Sequence, residues 1–383
     1  MKKQLLALSV IAAALALTAC NKPAEAPKAD ATKTDATAPA AAGGLIGLAI
    51  PETNVERWKG DAEFMQKELE AKGYKVEIAY GDGDQSKQNK QIEDFITKGA
   101  KVIVVGSVTP AAAEAVESAK KAGIQVIAYD RLITGTDAYD YYLTFDNTKV
   151  GTIQGEAIKA ALDLDKADKA KPKNIALFSG AATDNNARFF FDGAAEVLKP
   201  YVAAGTVKVC GPAPANSADA EWSKTTTEGW QADKAKARME TLLSGDCKGV
   251  TLDAVLSPND TLARAIIGAL EQDGKYKKLP FVTGQDGELL SVKWIIEGKQ
   301  GMTVFKDTRN LAKATAEAVD ALVKGTKPAP SVKNVADNST YDTGKKKVQS
   351  FLLEPEAVTK DNAVKVMVDG GFYTADQVAK GTK

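Results

Sequence analysis

Histidine is absent from the 383-residue sequence, and cysteine occurs only three times. Without histidine, the chain lacks the usual general base of serine and cysteine hydrolases and the commonest zinc ligand. The charges also cancel, because 50 lysines and arginines are matched by 50 aspartates and glutamates. No overall charge therefore favours nucleic acid or an anionic surface as a partner. Chemistry by carboxylates or lysines is still compatible with this composition.

The N-terminal segment has the pattern of an exported protein. Two lysines precede the apolar run Leu5–Ala19, which is shorter than the about 20 residues of a membrane-spanning helix and predicts a signal peptide over residues 1–19. Leu17–Cys20 resembles a bacterial lipobox, which implies that Cys20 carries a lipid; an ordinary signal peptide with a chance cysteine is the alternative. Residues 20–43 carry no large apolar side chain, which predicts a disordered tether behind the lipid.

Two further cysteines, Cys210 and Cys247, lie in the body of the chain. Export permits a disulfide between them, and two separately buried thiols are the alternative. The first cysteine ends a predicted strand and the second follows a predicted helix, so their spacing does not decide between the two.

Short apolar runs alternate with amphipathic, helix-length segments from Leu45 onward. Continuous apolar runs are typical of parallel strands that helices cover on both faces. The runs and segments form two series of alternating strands and helices, one after the other along the chain. Together these series predict an α/β protein with two doubly wound parallel-sheet domains and a crevice between them. The predicted strands are Leu45–Ile50, Val76–Tyr80, Val102–Val105 and Val126–Tyr129 in the first series, and Ile175–Phe178, Val207–Val209, Ala254–Leu256 and Phe281–Thr283 in the second.

Polar and aromatic residues follow these strands, at the edge where open α/β sheets bind their ligands. Side chains that both donate and accept hydrogen bonds suit vicinal hydroxyls, and tryptophan suits the apolar face of a pyranose. Taken singly, each residue has a structural alternative as a helix cap, a core residue or a solvated charge. Their shared location favours a sugar site. The segments are Glu56-Arg57-Trp58, Asp130-Arg131, Asp184-Asn185-Asn186, Gly229-Trp230, Asn259-Asp260, Gln285-Asp286 and, after the strand Met302–Phe305, Lys306.

None of these segments has the pattern of a metal cage or of a nucleophile beside a base. The sequence therefore predicts a binding protein, with no catalytic residue, no metal and no cofactor.

Several short motifs in a fixed order resemble the periplasmic binding proteins of the ribose/galactose type, with D-xylose-binding and multiple-sugar-binding members most similar. The resemblance extends from Leu45 to the C-terminus, although Pro51–Val55 depart from the xylose-binding pattern and Trp222 lies in an insertion. The motifs are Glu56–Trp58, Gln91–Glu93, Ala128–Arg131, Phe145–Asn147 with Val150-Gly151, Asp184–Ala187, Ser257–Asp260, Gly284–Asp286 and Thr303–Lys306.

The resemblance also implies roles for individual residues. The N-terminal domain would bind sugar hydroxyls through Arg57, Asp130 and Arg131, and the C-terminal domain through Asn186, Asn259, Asp286 and Lys306. Trp230 would stack on the sugar ring, and Trp58 would cover its opposite face.

A type I periplasmic binding protein fold with a three-segment hinge follows from the same resemblance. The chain would cross between domains near residues 145–147, just after Lys306 and near 342–348. The N-terminal domain would then combine residues 44–146 with 307–341, and the C-terminal domain residues 147–306 with 342–383. Closure of the two domains around a bridging ligand is the motion that this fold implies.

The implied function is that of the monosaccharide-binding component of an ABC importer. A binding component of this kind is a monomer that closes around a pentose or hexose, such as D-xylose, glucose or galactose. It delivers the sugar to a permease in the inner membrane. It would lie in the periplasm or at the cell surface, held to a membrane only through Cys20. A chemoreceptor is a second partner that the resemblance allows.

Three other functions are compatible with parts of the pattern. A repressor of the lactose type shares this fold, but it needs a DNA-binding helix-turn-helix where this chain has a signal peptide and a tether. A sugar-modifying enzyme would use Asp130 and Asp286 as a carboxylate pair. A binding protein for a sugar-like signalling molecule would keep the fold and change the ligand.

Overall fold

Residues 43–332 and 335–382 are described by the structure, which is a computed structural model. The predicted signal peptide, Cys20 and all of the predicted tether except Gly43 lie outside these residues. Among the helices of the described segments, none is long and apolar enough to cross a membrane.

The strands and helices alternate along most of the chain. The strands are β1 (Leu45–Ile50), β2 (Lys75–Tyr80), β3 (Val102–Val105), β4 (Gln125–Tyr129), β5 (Tyr141–Phe145), β6 (Lys173–Leu177), β7 (Val207–Val209), β8 (Ala254–Leu256), β9 (Phe281–Val282), β10 (Met302–Phe305), β11 (Val335–Asp342), β12 (Lys347–Leu353) and β13 (Glu356–Thr359). The helices are α1 (Arg57–Ala71), α2 (Gln85–Thr97), α3 (Ala113–Lys121), α4 (Asn147–Ala161), α5 (Asn185–Ala204), α6 (Ala232–Ser244), α7 (Asp260–Asp273), α8 (Leu289–Glu297), α9 (Thr308–Val323) and α10 (Ala375–Lys380).

Seven strands form the larger sheet, in the order β2-β1-β3-β4-β5-β12-β11. All neighbours are parallel except β11 and β12, which pair antiparallel. The strands β1 and β3 are buried almost throughout, as expected for parallel strands with helices on both faces. Helices α1, α2, α3 and α9 pack on this sheet, and we call the assembly the large-sheet region.

A parallel four-stranded sheet of order β7-β6-β8-β9 and a two-stranded antiparallel ladder of β10 and β13 form a second assembly. An isolated bridge between Gln285 and Val304 connects the end of β9 to β10. Helices α4 to α8 and α10 belong with these strands, and we call the assembly the small-sheet region.

The chain leaves the large-sheet region after β5 and returns to it with α9, which directly follows β10. Strand β12 differs from the prediction, because it pairs with β5 through five residues, from Gln349 opposite Tyr141 to Leu353 opposite Phe145. The last crossing therefore comes after Leu353 and not within residues 342–348. Residues 342–353 belong to the large-sheet region, because their backbone hydrogen bonds complete that sheet.

Helices begin where strands end, and several carry an aspartate or asparagine cap. Asp146 accepts from the Lys149 backbone N–H at the start of α4, and Asp307 accepts from Arg309 N–H at the start of α9. Such caps satisfy backbone donors that the first helical turn leaves unpaired. The caps also place short polar side chains at the carboxyl edge of the sheets.

Close packing of α4 on α5 depends on glycine. A Cβ on Gly151 would lie 1.9 Å from the backbone oxygen of Phe190, far inside van der Waals contact. The resulting approach of the two backbones fixes the first turns of α5 beside the carboxyl edge of both sheets.

A disulfide joins Cys210 and Cys247, with their Cα atoms 5.6 Å apart. It ties the segment after β7 to the turn after α6. Of the two alternatives that the sequence left open, the structure contains the bridge.

Candidate functional site

A cavity of about 300 Å³ lies between the carboxyl edges of the two sheets. Side chains from both regions form its wall, and all nine residues predicted to contact a ligand are among them. The lining residues are Val55, Arg57, Trp58, Asp130, Arg131, Asp184, Asn186, Phe190, Trp230, Asn259, Gln285, Asp286 and Lys306.

The strand-to-helix turns explain how distant segments meet here. Arg57 and Trp58 open α1, and Asp130 and Arg131 directly follow β4. From the other region, Asn186 lies in the first turn of α5, Asn259 caps α7, Asp286 follows β9 and Lys306 follows β10. The carboxyl ends of parallel strands meet at one edge of a sheet, which brings these turns together.

Charged groups from both regions alternate in the wall. Arg57 Nη1 donates to Asp130 Oδ2 at 2.7 Å and lies 3.7 Å from Asp286 Oδ1. Lys306 Nζ lies 3.0 Å from Asp286 Oδ1 and 3.8 Å from Asp130 Oδ2. Two carboxylates and two cations therefore form a nearly closed ring of ion pairs that spans the gap between the regions.

This ring keeps Asp130 ionised. Burial alone would raise the pKa of its carboxyl, but Arg57 and Lys306, with a smaller effect from Arg131, outweigh burial and lower the pKa to about 2. At neutral pH this carboxylate is a hydrogen-bond acceptor and not a proton donor.

A second layer holds Arg57 in place from within its own region. Asp61, one turn along α1, accepts a hydrogen bond from Arg57 Nη2 and another from the hydroxyl of Tyr129 at 3.0 Å. Burial lowers the pKa of Arg57, but Asp130, Asp61 and Asp286 more than compensate and raise it well above its usual value. The guanidinium is thus permanently charged although it is almost completely buried.

Arg131 has a comparable set of partners. Its Nη2 donates to Glu52 at 2.5 Å, its Nη1 donates to the Ser107 carbonyl at 3.2 Å, and its Nε lies 3.0 Å from Asp184 in the other region. Burial raises the pKa of Asp184, and Arg131 offsets this only in part. The Nε group has no hydrogen-bond partner among the described residues despite this short distance, and an arginine has five N–H donors, so donors remain for a ligand.

The Asn186 side chain makes several hydrogen bonds within the protein, which the sequence did not predict. Its side-chain oxygen accepts from Asn147 Nδ2 at 2.9 Å and from the Tyr142 hydroxyl at 3.3 Å. Its Nδ2 donates to the Asp130 carbonyl at 2.8 Å. This side chain lines the cavity, but most of its hydrogen-bonding capacity fixes the two regions against each other.

Asn259 has two functions at once. Its Oδ1 caps α7 by accepting from the Leu262 backbone N–H at 3.0 Å. The structural alternative from the sequence is therefore present, and the same side chain still lines the cavity.

The two predicted tryptophans differ in their surroundings. The Trp58 ring is approached by both guanidiniums, with Arg57 at 4.8 Å and Arg131 at 5.2 Å from its centroid. The ring therefore lies against both cations, and its predicted contact with a sugar face stays a prediction. Trp230 carries no such cation, and its indole N–H donates to Asp184 at 3.2 Å.

Backbone strain concentrates at this cavity. Among the described residues, only five other than glycine have a φ in the left-handed region, and three of them line the wall: Asp130 (60°), Trp230 (56°) and Asp286 (95°). A bulky residue rarely adopts this conformation, and such outliers cluster at ligand sites. Gly180 accommodates Trp230, because a Cβ there would lie 2.0 Å from the indole.

Four lining residues were not assigned to the ligand by the sequence: Val55, Asp184, Phe190 and Gln285. Asp184 and Gln285 were recognised as strand-end residues, but the family resemblance directed attention to their neighbours. Phe190 lies one helical turn after Asn186, and that spacing was the available signal. Trp222 is buried outside the cavity beneath Arg188, in agreement with its exclusion.

In the part of the chain that the structure describes, no cluster of three or more cysteine, aspartate or glutamate side chains has the geometry of a metal site.

Comparison with known proteins assigns the family. Residues 46–327 match the family model of the periplasmic binding protein domain. The multiple sugar-binding periplasmic receptor ChvE of Rhizobium radiobacter is 45% identical over 339 residues, which cover 88% of this chain and 92% of that protein. The D-xylose-binding periplasmic protein of Escherichia coli is 34% identical over 337 residues, or 87% of this chain and 92% of its own.

A solved structure is also similar to this chain over most of its length. The ABC transporter solute-binding protein of Clostridium phytofermentans with bound β-D-glucose superposes with a TM-score of 0.80 at 41% identity, covering 87% of this chain and 99% of that one. The mixed α/β architecture with its parallel sheets is that of the type I fold. On sequence and on structure, this chain belongs to the periplasmic binding protein family.

Proposed function

We propose that this protein is the monosaccharide-binding component of an ABC importer, with a pentose or hexose such as D-xylose, glucose or galactose as its ligand. Relatives at 45% and 34% identity are named for binding multiple sugars and D-xylose, and a structure at 41% identity holds glucose. The cavity is lined by polar side chains from both regions together with two tryptophans, as a site for one sugar ring requires.

Unused hydrogen-bonding groups in the wall carry this proposal. Arg57 Nε is a buried donor, and Gln285 Oε1 a buried acceptor, and neither has a partner among the described residues. A buried polar group without a partner costs about 1–3 kcal/mol, so a ligand that satisfies both gains that free energy. A hydroxyl group donates and accepts at once, and vicinal hydroxyls offer this at several positions.

The large-sheet and small-sheet regions are, in this proposal, the two domains that close on the sugar. With the last crossing placed after Leu353, one domain comprises residues 44–146 and 307–353, and the other 147–306 and 354–383. Both contribute polar groups to the cavity, so a bridging sugar favours the closed arrangement.

We also propose that the protein is not an enzyme. A glycosidase needs one protonated carboxyl as a general acid. Asp130 is poorly suited to this role, because its pKa is about 2, and Asp286 lies against Lys306 at 3.0 Å. Incubation with the preferred sugar should therefore return the sugar unchanged; a product that depends on Asp130 and Asp286 would favour the enzyme.

Export follows from the predicted signal peptide and from the periplasmic names of the relatives. We propose a lipid on Cys20, a monomer in the periplasm or at the cell surface, and delivery to an inner-membrane permease, with a chemoreceptor as a further partner. Mass spectrometry of the mature protein tests the anchor. Unchanged processing and membrane association in Cys20→Ser would contradict it.

A thermal-shift screen of common monosaccharides tests the central proposal. A sugar at about 100 times its dissociation constant adds about 2.7 kcal/mol to the stability of the state that binds it. At least one pentose or hexose should clearly raise the midpoint temperature of thermal unfolding. A response only to a sugar-like signalling compound would favour that alternative ligand.

A further inference from the structure

A second and larger space of about 1270 Å³ adjoins the sugar cavity, and we call it the outer cleft. Its wall includes residues of the large-sheet region, such as Asn54 and Asp82, and of the small-sheet region, such as Glu228 and Gln231. Of the residues that the structure describes, only Arg131, Asp184 and Trp230 line both the outer cleft and the sugar cavity. These three residues are therefore the boundary between the two spaces.

The boundary residues contact one another through an ion pair and a hydrogen bond. Arg131 Nε lies 3.0 Å from Asp184 Oδ2, and the Trp230 indole N–H donates to the same oxygen at 3.2 Å. The side chains of Arg131 and Asp184 are 8% and 5% exposed, so this bridge is buried and not a surface ion pair. Buried charged pairs are costly to separate, since each partner then loses its compensation.

Arg131 and Asp184 are each held in place by hydrogen bonds within their own region. Glu52 and the Ser107 carbonyl hold the guanidinium of Arg131 from its own region. Asp184 caps α5 through its other oxygen, which accepts from the Asn186 backbone N–H at 2.9 Å. The bridge therefore joins two fixed groups from opposite regions, and it forms only when the regions approach each other.

We infer that the Arg131–Asp184 bridge is a size filter, which restricts the ligand class to free monosaccharides without a substituent at the edge that faces the outer cleft. This rests on the proposed sugar-binding function. A methyl group or a second sugar ring on that edge would occupy the position of the bridge. Closure would then separate the buried Arg131 from the buried Asp184, which would leave Arg131 in an ion pair with Glu52 alone and Asp184 without its cation. The outer cleft beyond has room for another ring.

Calorimetric titration of the parent protein and of Asp184→Ser tests the filter. Serine keeps a helix-capping oxygen but is too short to reach Arg131. The parent should bind its preferred aldose at least about a hundredfold more tightly than disaccharides that contain it. The ratio of the two affinities should fall at least about tenfold in Asp184→Ser, through tighter binding of the disaccharide.

A set of derivatives of the preferred aldose, each with one hydroxyl methylated, locates the effect. An enclosed pocket should reject all of them in the parent, and Asp184→Ser should rescue only the one whose methyl faces the bridge. Asp84→Ser is the matched control, because Asp84 caps α2 through the same kind of hydrogen bonds and lies outside the cavity wall. It should leave every ratio unchanged.

The outcomes separate this inference from the function on which it rests. If the parent binds no free aldose, the proposed function fails. If the parent binds the aldose and its disaccharides equally, or if Asp184→Ser weakens all ligands by the same factor, only the filter fails. Should Asp184→Ser not fold, Asp184→Asn keeps the shape and removes the charge, and it should lower the same ratio by a smaller factor.

Discussion

On the large-sheet side of the pocket, each arginine is held by a carboxylate of its own region: Arg57 by Asp61, and Arg131 by Glu52. On the small-sheet side, the functional groups are placed mainly by the backbone. Asn259 caps a helix, and Asp286 has a left-handed φ. Asp130 on the large-sheet side also has a left-handed φ, and Asp286 also pairs with Lys306, so the walls differ mainly in their arginines. Buried charge pairs within one region hold the two arginines of the large-sheet wall, and turn geometry positions Asn259 and Asp286 in the other wall.

The difference indicates what each side tolerates. Removing a partner on the large-sheet side leaves a buried charge uncompensated, which affects folding as well as binding. Changing a side chain on the small-sheet side leaves its backbone turn in place, so the effect should fall mainly on ligand affinity. Lys306 is the exception, since its cation contacts carboxylates of both regions.

The largest effect should come from Asp61→Ala, which removes the buried support of Arg57. Breaking a buried pair on one side costs about 3–5 kcal/mol. The free energy of unfolding, measured with urea, should fall by about that amount. Asp376→Ala removes the carboxylate of an exposed pair with Lys380 and should change stability by less than about 1 kcal/mol. Equal losses in the two variants would show that the large-sheet side is not organised by buried charge.

Trp230→Ala should affect binding and leave the small-sheet region folded. Loss of buried apolar area and of ring stacking should weaken sugar binding by about 2–4 kcal/mol. Gly180→Ala should act in the same direction, because its Cβ would displace the indole. Saturating sugar should change tryptophan fluorescence in the parent, and the change should be smaller in Trp230→Ala, where Trp58 is the remaining tryptophan in the wall. Trp294→Ala, on α8 and outside the cavity wall, should retain full affinity.

The acid dependence of stability tests the charge ring. The pKa of Asp130 falls from 3.8 to about 2 on folding, which corresponds to roughly 2 kcal/mol. Because the folded pKa is depressed, this stabilisation is present above about pH 4 and is lost as the pH falls through about 2. The stability difference between the parent and Asp130→Asn should therefore shrink over that interval. Burial raises the pKa of Asp61 and Asp184, which contributes in the opposite direction. The Asp130 charge adds to this rise in both groups, so the contribution is smaller in Asp130→Asn.

Strand positions were predictable where burial leaves a continuous apolar run. Strands β1 and β3 begin and end at the predicted residues. Strand β5, Tyr-Tyr-Leu-Thr-Phe, was not among the predicted strands, and only its last residue fell within the predicted crossing near residues 145–147. Strand β11 lies at the edge of the sheet and pairs with β12 alone. Its sequence, Val-Ala-Asp-Asn-Ser-Thr-Tyr-Asp, is too polar to be recognised as a strand.

The predicted site residues come together in the structure, whereas their contacts with a ligand stay a prediction. The strand-end rule and the family motifs selected nine side chains, and all of them line one cavity. Neither signal could show that Asn186 would bond to Asp130 and Asn147, or that two guanidiniums would lie over Trp58. Such roles depend on which side chains meet across the two regions, and a local sequence pattern does not contain that information.

Asp286→Ala should have the smallest effect of these changes, and it tests whether the two walls act as a clamp. Its carboxylate lies 3.0 Å from Lys306 of its own region and 3.7 Å from Arg57 of the other. Removing it leaves a ligand hydroxyl or a buried cation without a partner, at a cost of about 1–3 kcal/mol. Affinity should fall at least about tenfold, which corresponds to about 1.4 kcal/mol. Small-angle X-ray scattering at equal sugar concentration should show less compaction than in the parent.

Lys380→Ala is the control for the clamp, since Lys380 pairs only with Asp376 on the exposed face of α10. It should change neither affinity nor compaction. Strong sugar binding by the parent without compaction would contradict the clamp even if every contact residue is correct. In that case the ion pairs between Arg57, Asp130, Asp286 and Lys306 would already hold the two regions together, and sugar would enter a site that is closed beforehand. Compaction that Asp286→Ala reduces would instead show that the sugar supplies the free energy of closure.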